Sequence, residues 1–167
     1  VYKRQYRSAA TIVQPTQSAY GEPISMIVET TNQVLLRLEN PGNGEDDFLL
    51  SSEVIAGMGM SSPPVVDLIE YNPQRTLGAL ASTIATVDVT LSADTPAQEP
   101  FILRFSWESL GGQNVISTVD LLVEAEPDHR WNVTLTDGDA YSILPAETLS
   151  LDYTVKNTGN AQDNLVV

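Results

Sequence analysis

Cysteine is absent, histidine occurs once, and Lys and Arg together number 8 against 22 Asp and Glu. Without Cys there is no disulfide framework and no thiol chemistry. With one His there are no zinc sites built from several His or Cys ligands. Any Ser-His-Asp or Cys-His arrangement would have to use His129 as its base. That residue stands in a polar run, Glu124 to Arg130, and no Gly-x-Ser-x-Gly elbow exists to serve it. The net charge of −14 argues against nucleic acid and anionic membrane surfaces as partners, because binding there requires clustered Lys and Arg to replace counterions. Acidity of this kind suits a surface protein in salty, cation-containing surroundings.

Long apolar runs are missing too. No stretch of about 18 apolar residues could span a bilayer, and no basic, apolar, small-residue order marks a signal peptide at the start. Helical periodicity is the last absence. Leu77 to Ala81 is the nearest approach to a helical turn, and Gly78 interrupts it. Val1 to Gln5 looks like a translated sequencing-adapter remnant, so residues 1–6 are expected to be non-native, and the stop at Val167 falls in mid-strand. Missing targeting signals are therefore uninformative.

What is present is alternation. Hydrophobic residues make up 42%, many of them Val, Ile and Leu, which with Thr suit a pleated, half-buried surface. Val34, Leu36 and Leu38 alternate with Leu35, Arg37 and Glu39, the period of two expected of a strand with one buried face. Ala85, Val87, Val89 and Leu91 alternate likewise with Ile84, Thr86, Asp88 and Thr90. The strongest amphipathic strand is Phe101 to Glu108, with Phe101, Leu103, Phe105 and Trp107 on one face. Further strands are expected at Ile24–Val28, Phe48–Ser52, Val65–Tyr71 and Val115–Val123, the last entered through the hairpin residues Gly111-Gly112-Gln113-Asn114. Thr11 to Val13 reads either as the last strand of a preceding module or as an edge strand of this one. About seven strands with regular turn signals and no helix predict an Ig-like antiparallel β-sandwich.

A repeat organises the whole. Asn40, Gly42, Asn43 and Asp46 recur without a gap as Asn157, Gly159, Asn160 and Asp163. The register extends upstream through Thr31/Thr148, Ser25/Ser142 and Gly21/Gly138. A period of about 117 residues implies tandem modules. The first is expected over residues 7–125 with its core in 24–123, and residues 126–167 form the first strands of a second. Glu124 to Arg130 reads as the linker, and Trp131, Val133 and Leu135 are expected to point inward in the second module.

The run Leu149 to Asn160, a strand followed by Asn157-Thr158-Gly159-Asn160, is similar to CARDB-type cell-adhesion-related domains and the related NPCBM-associated domains. In the first module Leu77 to Leu80, the strand Thr83–Leu91, and Ala93-Asp94-Thr95-Pro96 before the Phe101 strand resemble the same pattern. The Pro-Gly-Glu usual in that family is replaced by Gly78-Ala79-Leu80-Ala81-Ser82. The resemblance implies Ig-like modules in tandem arrays of large extracellular or envelope proteins of prokaryotes, working as spacers or binding platforms without catalysis. Its partners would be neighbouring modules of the same chain, other surface proteins or glycans. The alternatives are an accessory module of an exported protease or glycoside hydrolase, or a carbohydrate- or protein-binding domain.

Candidate sites are few. Asn43, Glu45, Asp46 and Asp47 offer oxygens of the kind calcium takes. The same residue types also close tight turns on their own backbone, and the spacing is not that of an EF-hand. Asp137-Gly138-Asp139 is a weaker version. The 22 acids could supply a glycosidase pair, but no spacing brings two together in a cleft. Phe101, Phe105 and Trp107 could form a sugar-stacking platform, although aromatics at a period of two beside Leu103 belong more naturally to a core, as does Trp131. Asn132-Val133-Thr134 is an N-glycosylation sequon. No cofactor is expected and no residue is assigned to catalysis.

Overall fold

The computed structural model describes residues 3–17, 21–136 and 142–164. Nine strands build the first module: β1 (Ala9–Gln14), β2 (Ile24–Met26), β3 (Thr31–Glu39), β4 (Asp46–Ile55), β5 (Val66–Glu70), β6 (Gln74–Leu77), β7 (Ser82–Leu91), β8 (Phe101–Ser109) and β9 (Ile116–Ala125). One sheet runs β1-β3-β7-β5 and the other β2-β9-β8-β4-β6. Every pairing is antiparallel except that of β2 with β9. The protein is an all-β, Ig-like sandwich, followed by β10 (Trp131–Leu135) and β11 (Tyr153–Asn157), which pair with each other as a separate two-stranded sheet.

The alternating positions become the core. Val34, Leu36 and Leu38 of β3 and Ala85, Val87, Val89 and Leu91 of β7 are fully buried. They face Phe101, Leu103, Phe105 and Trp107 of β8, flanked by Phe48, Leu121 and Val123. Removing each Val, Leu or Phe side chain among them from water contributes roughly 1.5–3 kcal/mol, so β3, β7 and β8 carry most of the sandwich. Phe48 and Trp107 stack with centroids 4.8 Å apart and planes 9° from parallel. The Trp107 indole N–H reaches the Glu39 carbonyl at 3.3 Å across the two sheets, which satisfies the polar end of a buried aromatic.

Several expectations are refined. Nine strands stand where about seven were expected. Thr11 to Val13 belongs to this module, as the edge strand β1 on β3. β6 was not foreseen: it is short and polar, and it is held by pairing with β4 and by burial of Leu77. Its Arg75 donates to the Tyr71, Asn72 and Ile84 carbonyls, a local network with no period to read. Trp131, Val133 and Leu135, expected to point inward, are exposed, because among the described residues no second sheet packs on β10 and β11. The extended stretch expected over Leu149–Val155 is strand only from Tyr153, where pairing with β10 begins.

The direction of the strands gives the module two distinct ends. β3 and β8 finish, and β9 begins, at the end that carries the Asn40–Glu45 loop; we call this the corner end. β9 finishes at the opposite end, from which residues 126–130 lead into β10.

Candidate functional site

The corner is built by two asparagines with different tasks. Asn40, only 1% exposed, ends β3. Its Nδ2 donates to the Gly44 carbonyl at 2.9 Å, and to the Leu77 and Gly78 carbonyls of the neighbouring turn at 2.9 and 3.1 Å. Its Oδ1 accepts the Gly42 N–H at 2.9 Å. One amide thus closes its own loop and ties it to the β6–β7 turn. Asn43 faces outward and grips the incoming chain. Its Oδ1 accepts the Gln5 N–H at 2.7 Å, its Nδ2 donates to the Lys3 carbonyl at 3.0 Å, and its N–H donates to the Gln5 carbonyl at 3.4 Å.

The second corner repeats the loop-closing and chain-gripping contacts with the same atoms. Asn157 Nδ2 donates to the Ala161 carbonyl at 2.8 Å, and Asn157 Oδ1 accepts the Gly159 N–H at 2.9 Å. Asn160 Oδ1 accepts the Asp128 N–H at 2.7 Å, its Nδ2 donates to the Glu126 carbonyl at 3.0 Å, and its N–H donates to the Asp128 carbonyl at 3.1 Å. The repeated glycine has a physical reason. A Cβ on Gly42 would lie 2.4 Å from the Gln5 carbonyl oxygen, and one on Gly159 only 1.9 Å from that of Asp128. The corner glycine leaves room for the chain that crosses it. Because Lys3, Gln5, Glu126 and Asp128 are held through their backbones, the two incoming segments need share no side chains.

The second corner also touches the first module. The Ala97 N–H, in the β7–β8 loop, donates to the Asn160 carbonyl at 3.2 Å. The Arg130 guanidinium reaches Glu29, in the β2–β3 turn, at 3.2 Å and also pairs with Asp128. The hydrogen bonds that Arg130 donates to Asp128, and then to Glu29, push its guanidinium above its already high ordinary value. His129 Nδ1 lies 3.2 Å from Asp163 Oδ2. Pro96, Gln98, Pro127 and Gln162 line the cleft between these groups. The joint is therefore a set of directional contacts around the linker, not a bare tether.

The calcium candidates take other partners. Asp46 is 7% exposed; its carboxylate accepts from the Ser109 hydroxyl, from the Gly111 N–H at 3.1 Å and from the Asp47 N–H at 2.9 Å. Asp47 accepts from the Thr76 hydroxyl at 2.6 Å, and Asn43 is engaged as described. Glu45 is exposed beside a shallow cleft shared with Arg4 and Tyr6. Among the described residues no three His, Asp or Glu side chains converge as a metal-binding group. Phe101, Phe105 and Trp107 are fully buried and present no platform. Asn132 lies on β10 opposite Lys156 with its side chain exposed. Asp137-Gly138-Asp139 lies outside the described residues. Arg130, Glu29 and Ala97 were not singled out from sequence. The usable signal was the recurrence of Asn43 as Asn160, because a repeated outward-facing amide implies a repeated partner.

No family model and no curated protein matches the chain. Among solved structures, a FixG-related protein from Vibrio parahaemolyticus is similar at 10% identity and TM-score 0.48, over 71% of this chain and 95% of that one. A chaperone–tip adhesin complex of CFA/I fimbriae is similar at 14% identity and TM-score 0.44, over 91% and 67%. The periplasmic chaperone SfaE is similar at 14% identity and TM-score 0.38, over 70% and 58%. At these values the likeness says nothing about what this chain binds. No helix among the described residues is long and apolar enough to cross a membrane.

Proposed function

We propose that this chain is a non-catalytic structural or adhesion segment of a larger extracellular or envelope protein, in which Ig-like modules are stacked end to end as a spacer or binding platform. The observation that carries this reading is the joint. The second corner seizes the linker backbone through Asn160 and simultaneously engages the far end of the first module at Ala97, while Arg130 beside it reaches Glu29. A chain that only tethered two independent domains would have no use for a corner that contacts both the linker and the preceding module. The resemblance to CARDB-type repeats supports the surface placement, and the net charge of −14 fits cation-rich surroundings. Nitrogen-15 relaxation of the full chain tests the reading. Amides of β3 to β9 and of β10–β11 should report one common tumbling time, and a distinctly faster time for β10–β11 would refute it.

A further inference from the structure

The first module carries at its own corner end the same pieces that the second module uses to dock. Lys3 and Gln5 cross Asn43 just as Glu126 and Asp128 cross Asn160. The strands that follow are equivalent as well: Ile12 pairs with Leu36 where Leu135 pairs with Tyr153, and Ala10 with Leu38 where Val133 pairs with Val155. In this superposition Arg7 takes the place of Arg130. The same point follows from the corner glycines, since a Cβ on Gly42 would lie 3.5 Å from Arg7 N and one on Gly159 2.8 Å from Arg130 N.

We propose that the corner end of the first module is a docking surface for the opposite end of another module of the same fold. The Asn43 carbonyl would accept a backbone N–H from that module's β7–β8 loop, as Asn160 accepts from Ala97. Arg7 would pair with a carboxylate on its β2–β3 turn, as Arg130 pairs with Glu29. Three observations select this occupant over a glycan or an unrelated protein. Arg7 is an exposed cation in a strongly acidic protein, and no ion pair to it is present among the described residues, whereas its equivalent has two. Asn43 grips backbone atoms only at positions 3 and 5, so that grip is available to whatever side chains stand there. Finally, the complementary face is known in detail, because the first module presents it to the second. The inference rests on the end-to-end reading above and adds the partner and the contacts for the corner end of the first module.

The test is a spliced chain in which residues 1–128 precede residues 6–167, so that Asp128 leads into Tyr6 and the first-module corner meets a complete neighbour. Spin-label pairs are placed across the new joint and, in the unspliced full chain, across the existing one. Distances are then read by double electron–electron resonance. The expected result is a narrow distribution at the new joint, as narrow as that at the existing one, which broadens at least twofold when Arg7→Ala and Asn43→Ala are combined in the second copy. Both residues are exposed, so the variant should fold, and a cooperative circular dichroism melt close to that of the parent verifies that. A broad distribution at the new joint beside a narrow one at the existing joint overturns this inference and leaves the end-to-end reading standing. Broad distributions at both overturn the two together. A narrow distribution that ignores the double substitution overturns the assignment to Arg7 and to the side-chain grip by which Asn43 fixes the incoming chain.

Discussion

Asn160 and Asp128 are joined twice: the Asn160 side-chain oxygen accepts the Asp128 N–H at 2.7 Å, and the Asn160 N–H donates to the Asp128 carbonyl at 3.1 Å. This closed pair is possible because Gly159, one residue earlier, has no Cβ to strike the same carbonyl. Gly159→Ala should therefore free the linker without disturbing the first module. Hydrogen exchange at the Asp128 amide should accelerate at least tenfold, while amides of β7 and β8 keep their protection. Equal protection of Asp128 in both proteins would refute the role given to the glycine.

Asn40 and Asn43 should separate in a stability measurement. Asn40→Ala strips a buried amide from three carbonyls and one N–H. Leaving such groups unpartnered should cost about 2–4 kcal/mol in urea unfolding. Asn43→Ala releases an exposed segment and should cost less than about 1 kcal/mol. Similar values for the two would contradict the division of labour described above.

Trp107 is fully buried, stacked on Phe48 and hydrogen-bonded to Glu39 across the sandwich. Trp107→Phe keeps the stacking but removes the indole donor and some volume, and should cost about 1–3 kcal/mol. Trp107→Ala should cost about 3–5 kcal/mol. The chain has two Trp residues, Trp107 and Trp131, so fluorescence of a Trp131→Phe background reads the core directly.

On the outer face of β8, Arg104 donates to both oxygens of Asp120 at 2.8 and 2.9 Å. The hydrogen bonds from Arg104 hold the Asp120 carboxyl below its ordinary value, against a smaller opposing effect of burial. A depressed folded-state pKa means that this contribution is fully present above the usual carboxylate range and is lost as pH falls through the folded value. The pair is solvent-exposed, so Asp120→Asn should cost less than about 1 kcal/mol at pH 7. The difference between variant and wild type should diminish as pH falls below the usual carboxylate range, and shrink in 1 M salt. A difference that persists under both conditions would point to a role other than charge pairing.

Calcium should leave the corner untouched. The Asp46 carboxylate already accepts from three protein donors, Asp47 accepts from Thr76, and Asn43 is spent on residues 3 and 5. Titration of millimolar calcium into the full chain is expected to give no binding heat and no melting shift. A saturable heat that disappears in Asp46→Asn would reverse this.

The legibility of the chain follows from which forces are periodic. β3, β7 and β8 were readable because each buries every second side chain against the facing sheet, and that rule leaves a mark at each position. Gln74 to Leu77 left none, since β6 is held by ladder bonds to β4 and by Arg75 donating to carbonyls, and backbone partners are indifferent to residue type. The inward placement expected of Trp131 and Val133 followed from alternation alone, and alternation does not say whether a second sheet is there to receive the face. The corner was legible as a repeat, and its turn chemistry was read correctly from Asn, Gly and Asp. Its purpose was not legible, because Asn43 and Asn160 hold backbone atoms, and the residues held, Lys3 and Gln5 against Glu126 and Asp128, share no side chain.

The parallel course of β1 and β9 through the module has a mechanical consequence. The chain enters at the corner end, beside Arg7, and leaves at the opposite end, after Ala125. Tension on a protein containing this segment would run along the strands, so the ladder between β1 and β3 is loaded in shear. Its hydrogen bonds would share the load and yield together, instead of unzipping one at a time. A module strung in this way is suited to bear a pull between whatever stands on either side of it.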